Sequence, residues 1–173
     1  LRIRDNGVGM NRDELIRNIG TIANSGTKKF LESLTGDQKK DANLIGQFGV
    51  GFYSAFMVAD RVTLTTRRLG EETAWRWESA GDGSYTLGET DAAEHAGRGT
   101  VLELHLKEDA KEFLDDWRLR GIVKKYSEYI AHPITLVTVK DGKEEREVLN
   151  DKPPVWRRPK NEVTAQQHKE FYQ

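Results

Sequence analysis

The sequence predicts an α+β fold built on a mostly antiparallel sheet. Alternating apolar and polar residues recur over 61–67, 74–79, 84–87 and 100–106, the period of strands. Gly70, Gly81-Asp82-Gly83 and Gly97-Arg98-Gly99 punctuate these runs as turns, so successive strands are expected to form an antiparallel meander. Helical spacing of apolar residues is confined to other stretches, chiefly 12–19, 52–59 and 108–131.

Composition narrows the function. The chain has 173 residues, with 27 Lys+Arg against 28 Asp+Glu, and so lacks the basic surplus of a dedicated nucleic-acid binder. It has no cysteine, which excludes disulfides, thiolate metal sites and a cysteine nucleophile. No apolar run approaches the ~20 residues that span a bilayer. The chain opens on Leu1-Arg2-Ile3-Arg4, which alternates as a strand does, and this predicts a fragment whose N-terminal part lies upstream.

In order, the first strand runs into Asp5-Asn6-Gly7-Val8-Gly9-Met10. A helix follows, with Asn11 as N-cap and Glu14 completing a capping box. Met10 and Leu15 are placed as a hydrophobic staple, and Leu15, Ile19 and Ile22 share one face. The helix gives out near Gly20. Residues 20–47 carry polar hinges, a short helical pattern at 28–34 and little apolar content, the composition of a segment able to act as a lid. Beyond Gly51, residues 52–59 are apolar on all sides and predict a buried helix. After the strands, 108–131 is the longest helical pattern, with Phe113, Trp117, Val123, Tyr126 and Ile130 near one stripe and acidic residues at its start. Pro133 ends it. Strands at 134–140 and 145–149 flank the hairpin turn Asp141-Gly142. We divide the chain into a main domain at 1–149, a linker at 150–154 and the start of a further domain at 155–173.

Two glycine-rich stretches carry the chemistry. Asp5 ends a strand beside Gly7 and Gly9, where a carboxylate can accept a hydrogen bond from an exocyclic amine and glycines admit a flat ring close to the backbone. Met10 and Leu102 can pack on such a ring. Taken alone, this stretch reads first as a plain turn. The second stretch, Gly46-Gln47-Phe48-Gly49-Val50-Gly51, precedes a helix, and its backbone N–H groups suit an anion. It is neither a P-loop nor the dinucleotide fingerprint, since no Gly-Lys-Ser/Thr follows and the glycine spacing differs. Close helix packing would also explain the trio. Paired, the stretches complement each other as the base side and phosphate side of one nucleotide pocket. His95, His105, His132 and His168 have no metal-ligand spacing, and Trp75, Trp77 and Trp117 read as packing residues.

These stretches, with Gly20-Thr21-Ile22-Ala23-Asn24-Ser25-Gly26-Thr27-Lys28-Lys29-Phe30 and Phe52-Tyr53-Ser54, closely resemble the ATP-binding domain of the 90-kDa heat-shock protein chaperones, nearest the bacterial HtpG type. Gly97-Arg98-Gly99-Thr100, Tyr126-Ser127-Glu128-Tyr129-Ile130, Val155-Trp156-Arg157-Arg158 and Glu170-Phe171-Tyr172 extend the resemblance over nearly the whole chain. The first and third motifs are shared more loosely with gyrase B, MutL and histidine kinases. The resemblance implies a two-layer α/β sandwich of Bergerat type, with a mixed, mostly antiparallel sheet covered on one face by helices and incomplete at its N-terminus. It implies that Asp5 accepts from the adenine amine, that Gly9 and Thr100 share ordered water at the base, and that Met10 and Leu102 touch the ring. Asn18 would reach the sugar and phosphates, and Gly49, Val50, Gly51 and Phe52 would offer N–H groups to the phosphates. Residues 20–47 would be the ATP lid, with Gly20, Ser25, Gly26, Thr27, Gly46 and Gln47 at its working positions.

The implied cofactors are ATP and Mg2+. The implied partners are client proteins, co-chaperones and a second copy in a homodimer, in the cytoplasm, with no nucleic acid or membrane. Two departures stand out. The family's water-activating glutamate and magnesium-binding asparagine lie on a helix upstream of Leu1, so no catalytic or metal residue is assigned here and the fragment alone is expected to be inactive. Asn24 stands where the family commonly has lysine. The competing readings are a DNA topoisomerase or mismatch-repair ATPase on the same fold, and a non-catalytic protein-binding module.

Overall fold

A computed structural model describes residues 1–20, 48–91 and 97–150. The chain divides into two compact units, Leu1–Lys111 and Glu112–Gln173.

In the first unit, strand β1 (Arg2–Asp5) leads to helix α1 (Arg12–Asn18). The expected capping box starts that helix: Glu14 N–H donates to Asn11 Oδ1 at 3.0 Å, and Asn11 N–H donates to Glu14 Oε2 at 3.1 Å. Leu15 is fully buried and Met10 packs against the same cluster, as the staple requires. Next come a 3-10 turn (Gly51–Ser54), the single-turn helix α2 (Ala55–Val58), and strands β2 (Ala59–Arg67), β3 (Ala74–Ser79), β4 (Thr86–Thr90) and β5 (Gly99–Leu106).

The sheet order is β1-β5-β2-β3-β4, with every pairing antiparallel. The expected meander therefore holds only for β2-β3-β4. Strand β5 crosses back to the far edge of β2 and lies between it and β1. A central position explains the burial of β5 on both faces: Val101 is 2% exposed and Leu104, on the opposite face, 8%.

Register sets up two rows across the helix-facing side. Ile3, Leu102, Leu64, Trp77 and Leu87 stand opposite one another in an apolar row. Two residues along each strand, and so on the same face, Asp5, Thr100, Thr66, Trp75 and Glu89 form the next row, polar at its β1 end. The core joins Leu15, Ala59, Val62, Leu64, Trp77 and Leu104, with Phe52 and Phe56 packed against it. Helix layer on sheet gives the α+β sandwich.

Two local expectations are corrected. The predicted buried helix at 52–59 is a 3-10 turn plus one α turn, and Met57 is 77% exposed. The segment hands directly into extended backbone at Ala59, leaving room for only one inward face. Strand β4 starts at Thr86 instead of Ser84, because Ser84 closes a turn with Asp82, its N–H and Oγ donating to Asp82 Oδ1 at 2.9 and 2.8 Å.

In the second unit, the long helix predicted for 108–131 is broken. A 3-10 stretch (Glu108–Leu114) crosses into this unit and ends at Asp115, whose side chain accepts from Arg118 N–H at 2.9 Å and caps helix α3 (Asp116–Tyr126). Trp117 and Tyr126, expected on a buried stripe, are 80% and 71% exposed, with the Arg120 guanidinium 5.8 Å over the Trp117 ring. Strands β6 (Thr135–Lys140) and β7 (Lys143–Val148) form the predicted hairpin. Its turn residues Asp141 and Gly142 both have positive φ, 51° and 75°, as a type I′ turn needs. Asn150 ties the hairpin to the segment before it: its Oδ1 accepts from Ile134 N–H at 2.6 Å, and its Nδ2 donates to the Ile130 and His132 carbonyls.

Candidate functional site

Every described candidate residue lies in the first unit. Asp5 is the last residue of β1. Its Oδ1 accepts from Gly7 N–H at 2.8 Å and from Thr100 N–H on β5 at 3.3 Å, which fixes the carboxylate at the mouth of the polar row. Gly9 has φ 69°, and a Cβ there would overlap the Arg67 carbonyl oxygen at the end of β2. The chain is held this close because Leu69 N–H donates to Val8 O at 2.8 Å. Arg98 Nε donates to Asn6 O at 3.0 Å and ties the same turn to the start of β5.

Asp5, Gly9, Met10 and Thr100 therefore meet at one end of the helix-facing side, with Leu102 in the adjoining apolar row. A residue that the motifs do not single out joins them. Thr66, with no exposed surface, lies 3.0 Å from Met10 N, 3.0 Å from Gly99 O and 3.2 Å from Thr100 Oγ1. Its signal in the sequence is a hydroxyl at the third inward position of Val62, Leu64 and Thr66, where the pattern calls for an apolar residue.

The phosphate-side stretch is described from Phe48 onward. Gly49 has φ 64°, Val50 is half exposed, and Gly51 opens the 3-10 turn, first closed by Tyr53 N–H to Val50 O at 3.3 Å. The turn rests on the core: the Phe52 ring meets Trp77 edge-on at 5.5 Å. Tyr53 Oη donates to Ile19 O at 2.9 Å, and burial pushes its phenol above the ordinary value. The two candidate stretches thus attach to opposite ends of α1, beside Met10 and at Ile19, and the helix between them rises about 10 Å at 1.5 Å per residue. Asn18, half buried, ends that helix. A Cβ at Gly20 would come within 2.6 Å of Ile16 O and 2.9 Å of Tyr85 Oη, so a side chain is sterically excluded there. Ser25, Gly26, Thr27, Gly46 and Gln47, the rest of the predicted lid, lie outside the described residues, as do Asn24 and 155–173.

The base side fits an adenine. It offers a carboxylate and a hydroxyl in register above an apolar row, and a backbone cradle that a Cβ at Gly9 would fill. Among the described residues no group of three His, Asp or Glu is placed to hold a metal ion. A family model described as histidine kinase-, DNA gyrase B- and HSP90-like ATPase matches residues 1–96.

The chain belongs to this ATPase family. The five-stranded sheet under a helix layer is the family's α+β ATP-binding fold. The chain is similar to the Chaperone protein HtpG of Chromobacterium violaceum, at 54% identity over 99% of this chain. The HtpG proteins of Hydrogenovibrio crunogenus and Paramagnetospirillum magneticum are 54% and 55% identical over the same share. The chain spans 28%, 28% and 27% of the lengths of these three curated relatives. Among the described residues of this family member, no helix is long and apolar enough to cross a membrane.

Proposed function

We propose that this chain is the ATP-binding part of an ATP-hydrolysing molecular chaperone that assists protein folding in the cytoplasm as a homodimer, with client proteins and co-chaperones as partners. The observation that carries the reading is the row Asp5–Thr100–Thr66 laid in register beside the apolar row of Leu102 and Leu64. A purine has the matching anatomy, a polar edge and an apolar face.

In this reading Asp5 accepts from the adenine amine. Thr100 and Gly9 hold water at the base, and Met10 and Leu102 contact the ring. Asn18 reaches the sugar and phosphates, and the N–H groups of Gly49, Val50, Gly51 and Phe52 meet the phosphates. Residues 20–47 close over bound nucleotide. Mg2+ accompanies the phosphates. The described residues supply no cluster of side chains for it. The similarity to HtpG chaperones favours a chaperone over a DNA topoisomerase or mismatch-repair enzyme, and DNA-stimulated turnover by the full-length protein would reverse that order.

The direct test is Asp5→Asn in the full-length protein. Losing a charged hydrogen bond to the amine predicts roughly a tenfold or greater loss of ADP affinity by calorimetry, with the melting temperature retained. Near-normal affinity in that variant would remove Asp5 from its role.

A further inference from the structure

The hydrogen bonds around Thr66 determine which way the Thr100 hydroxyl points. A threonine hydroxyl has one proton to give and two lone pairs to receive. Thr66 Oγ1 has three neighbours at bonding distance: Met10 N–H, Gly99 O and Thr100 Oγ1. Met10 N–H can only donate, so it takes one lone pair. Gly99 O can only accept, so it takes the proton. The remaining lone pair is all that Thr66 has left for Thr100, and Thr100 must be the donor in that contact. Thr66 is fully buried, so water does not compete for any of the three.

We infer that Thr66 is a positioning residue for base recognition, which draws the Thr100 proton away from the ligand and leaves the Asp5 and Thr100 side chains as acceptors only. Asp5 contributes a carboxylate, whose Oδ1 is already held by two N–H groups, and Thr100 contributes lone pairs beside it. Such a surface takes a donor, either the 6-amino group of a purine or a water that donates. It rejects a 6-oxo group, which brings an acceptor to acceptors. This deepens the adenine-nucleotide reading and rests on it. Without the Thr66 hydroxyl, Thr100 can turn its proton outward and meet a 6-oxo group or reverse a bridging water.

The test compares ADP with its 6-oxo analogue, inosine diphosphate, by calorimetry on the full-length protein. Thr66→Val keeps the shape and removes the hydroxyl, and Thr66→Ser keeps the hydroxyl. We expect the ADP-over-inosine preference to fall about five- to tenfold in T66V, the size of one net hydrogen bond, and to be restored in T66S. In a Thr100→Val background, T66V should no longer change the preference, because the proton it steers is gone. Should T66V fail to fold, Thr66→Cys, a weak donor and acceptor, gives the same comparison. An unchanged preference in T66V overturns the inference, and so does an equal loss for both ligands, which marks a purely structural threonine. A wild-type protein that does not distinguish the two nucleotides removes the adenine reading beneath it. Discrimination in the wild type that survives T66V removes this inference alone.

Discussion

At Gly9 two constraints coincide. Its φ of 69° lies in the left-handed region, and the space a Cβ would need is filled by the Arg67 carbonyl oxygen. The first alone costs a non-glycine residue of order 1–3 kcal/mol, and the second forces the loop off the end of β2. Gly9→Ala should therefore lower the stability of the first unit by at least about 2 kcal/mol and weaken nucleotide binding through the displaced Met10 N–H. Gly88, with ordinary φ and open space, is the control, and Gly88→Ala should stay within about 0.5 kcal/mol of the parent. Urea titrations of both variants make the comparison, and equal losses would show that the close approach at Gly9 contributes nothing. Thr66 belongs to the same scale. Its place in the strand was readable, but its three partners come from residues 10, 99 and 100, which only the folded sheet assembles.

At the scale of elements, the sheet face away from the helices has its own electrostatics. Arg2, Glu103, Thr63 and Glu78 stand in one cross-strand row, and Thr63 Oγ1 donates to Glu78 Oε2 at 2.9 Å. That bond, and after it Arg76 and Arg61, holds the Glu78 carboxyl below its ordinary 4.5, against a smaller opposing effect of burial. A lowered carboxyl stabilises the fold above the unfolded-state value and stops doing so as pH falls through the folded-state value. Glu78→Gln should accordingly be less stable than the parent near neutrality and show a shallower loss of stability below about pH 4.5. Melting temperatures across that range test it, and parallel curves for the two proteins would contradict it. What the sequence disclosed about elements divides along the same line of locality. The Asn11–Glu14 box and the Asp141-Gly142 turn involve neighbours along the chain, and both formed as read. The crossing of β5 to the far edge of β2 depends on pairing across tens of residues, and alternation within a strand is silent about its neighbours. The helix break at Asp115 is hidden in the sequence for a different reason. An acid near a helix start and an acid that begins a new helix look alike until the cap geometry is seen.

At the scale of the whole first unit, the phosphate-side turn is a rider on the core. Phe52 stacks edge-on to Trp77 and Phe56, and Tyr53 reaches the end of α1. Phe52→Ala should destabilise the unit by about 2–4 kcal/mol. It should also weaken ADP more than adenosine, since adenosine lacks the phosphates that the turn would hold. Calorimetry with the two ligands reads the difference, and equal weakening would point to general loosening. The candidate residues were legible as two motifs, whereas their union through α1 was not, because it runs through a tyrosine hydroxyl and a main-chain carbonyl that no motif records.

The pairing of Asp5 with Thr100 has a temporal side. The two are 95 residues apart along the chain, and Leu1 is bonded to Leu104 across 103. On a ribosome adding roughly 5–20 residues per second, the carboxylate is made about 5–20 seconds before its strand partner. Over that interval β1 has no neighbour on the β5 side. If Asp5 and Thr100 form the base side as proposed, nucleotide cannot act as a template for early folding, because half of that side does not yet exist. Binding of adenine nucleotide to a nascent chain would therefore mark the moment β5 slots between β1 and β2, and ribosome-bound chains arrested before and after that strand should differ in it all or none.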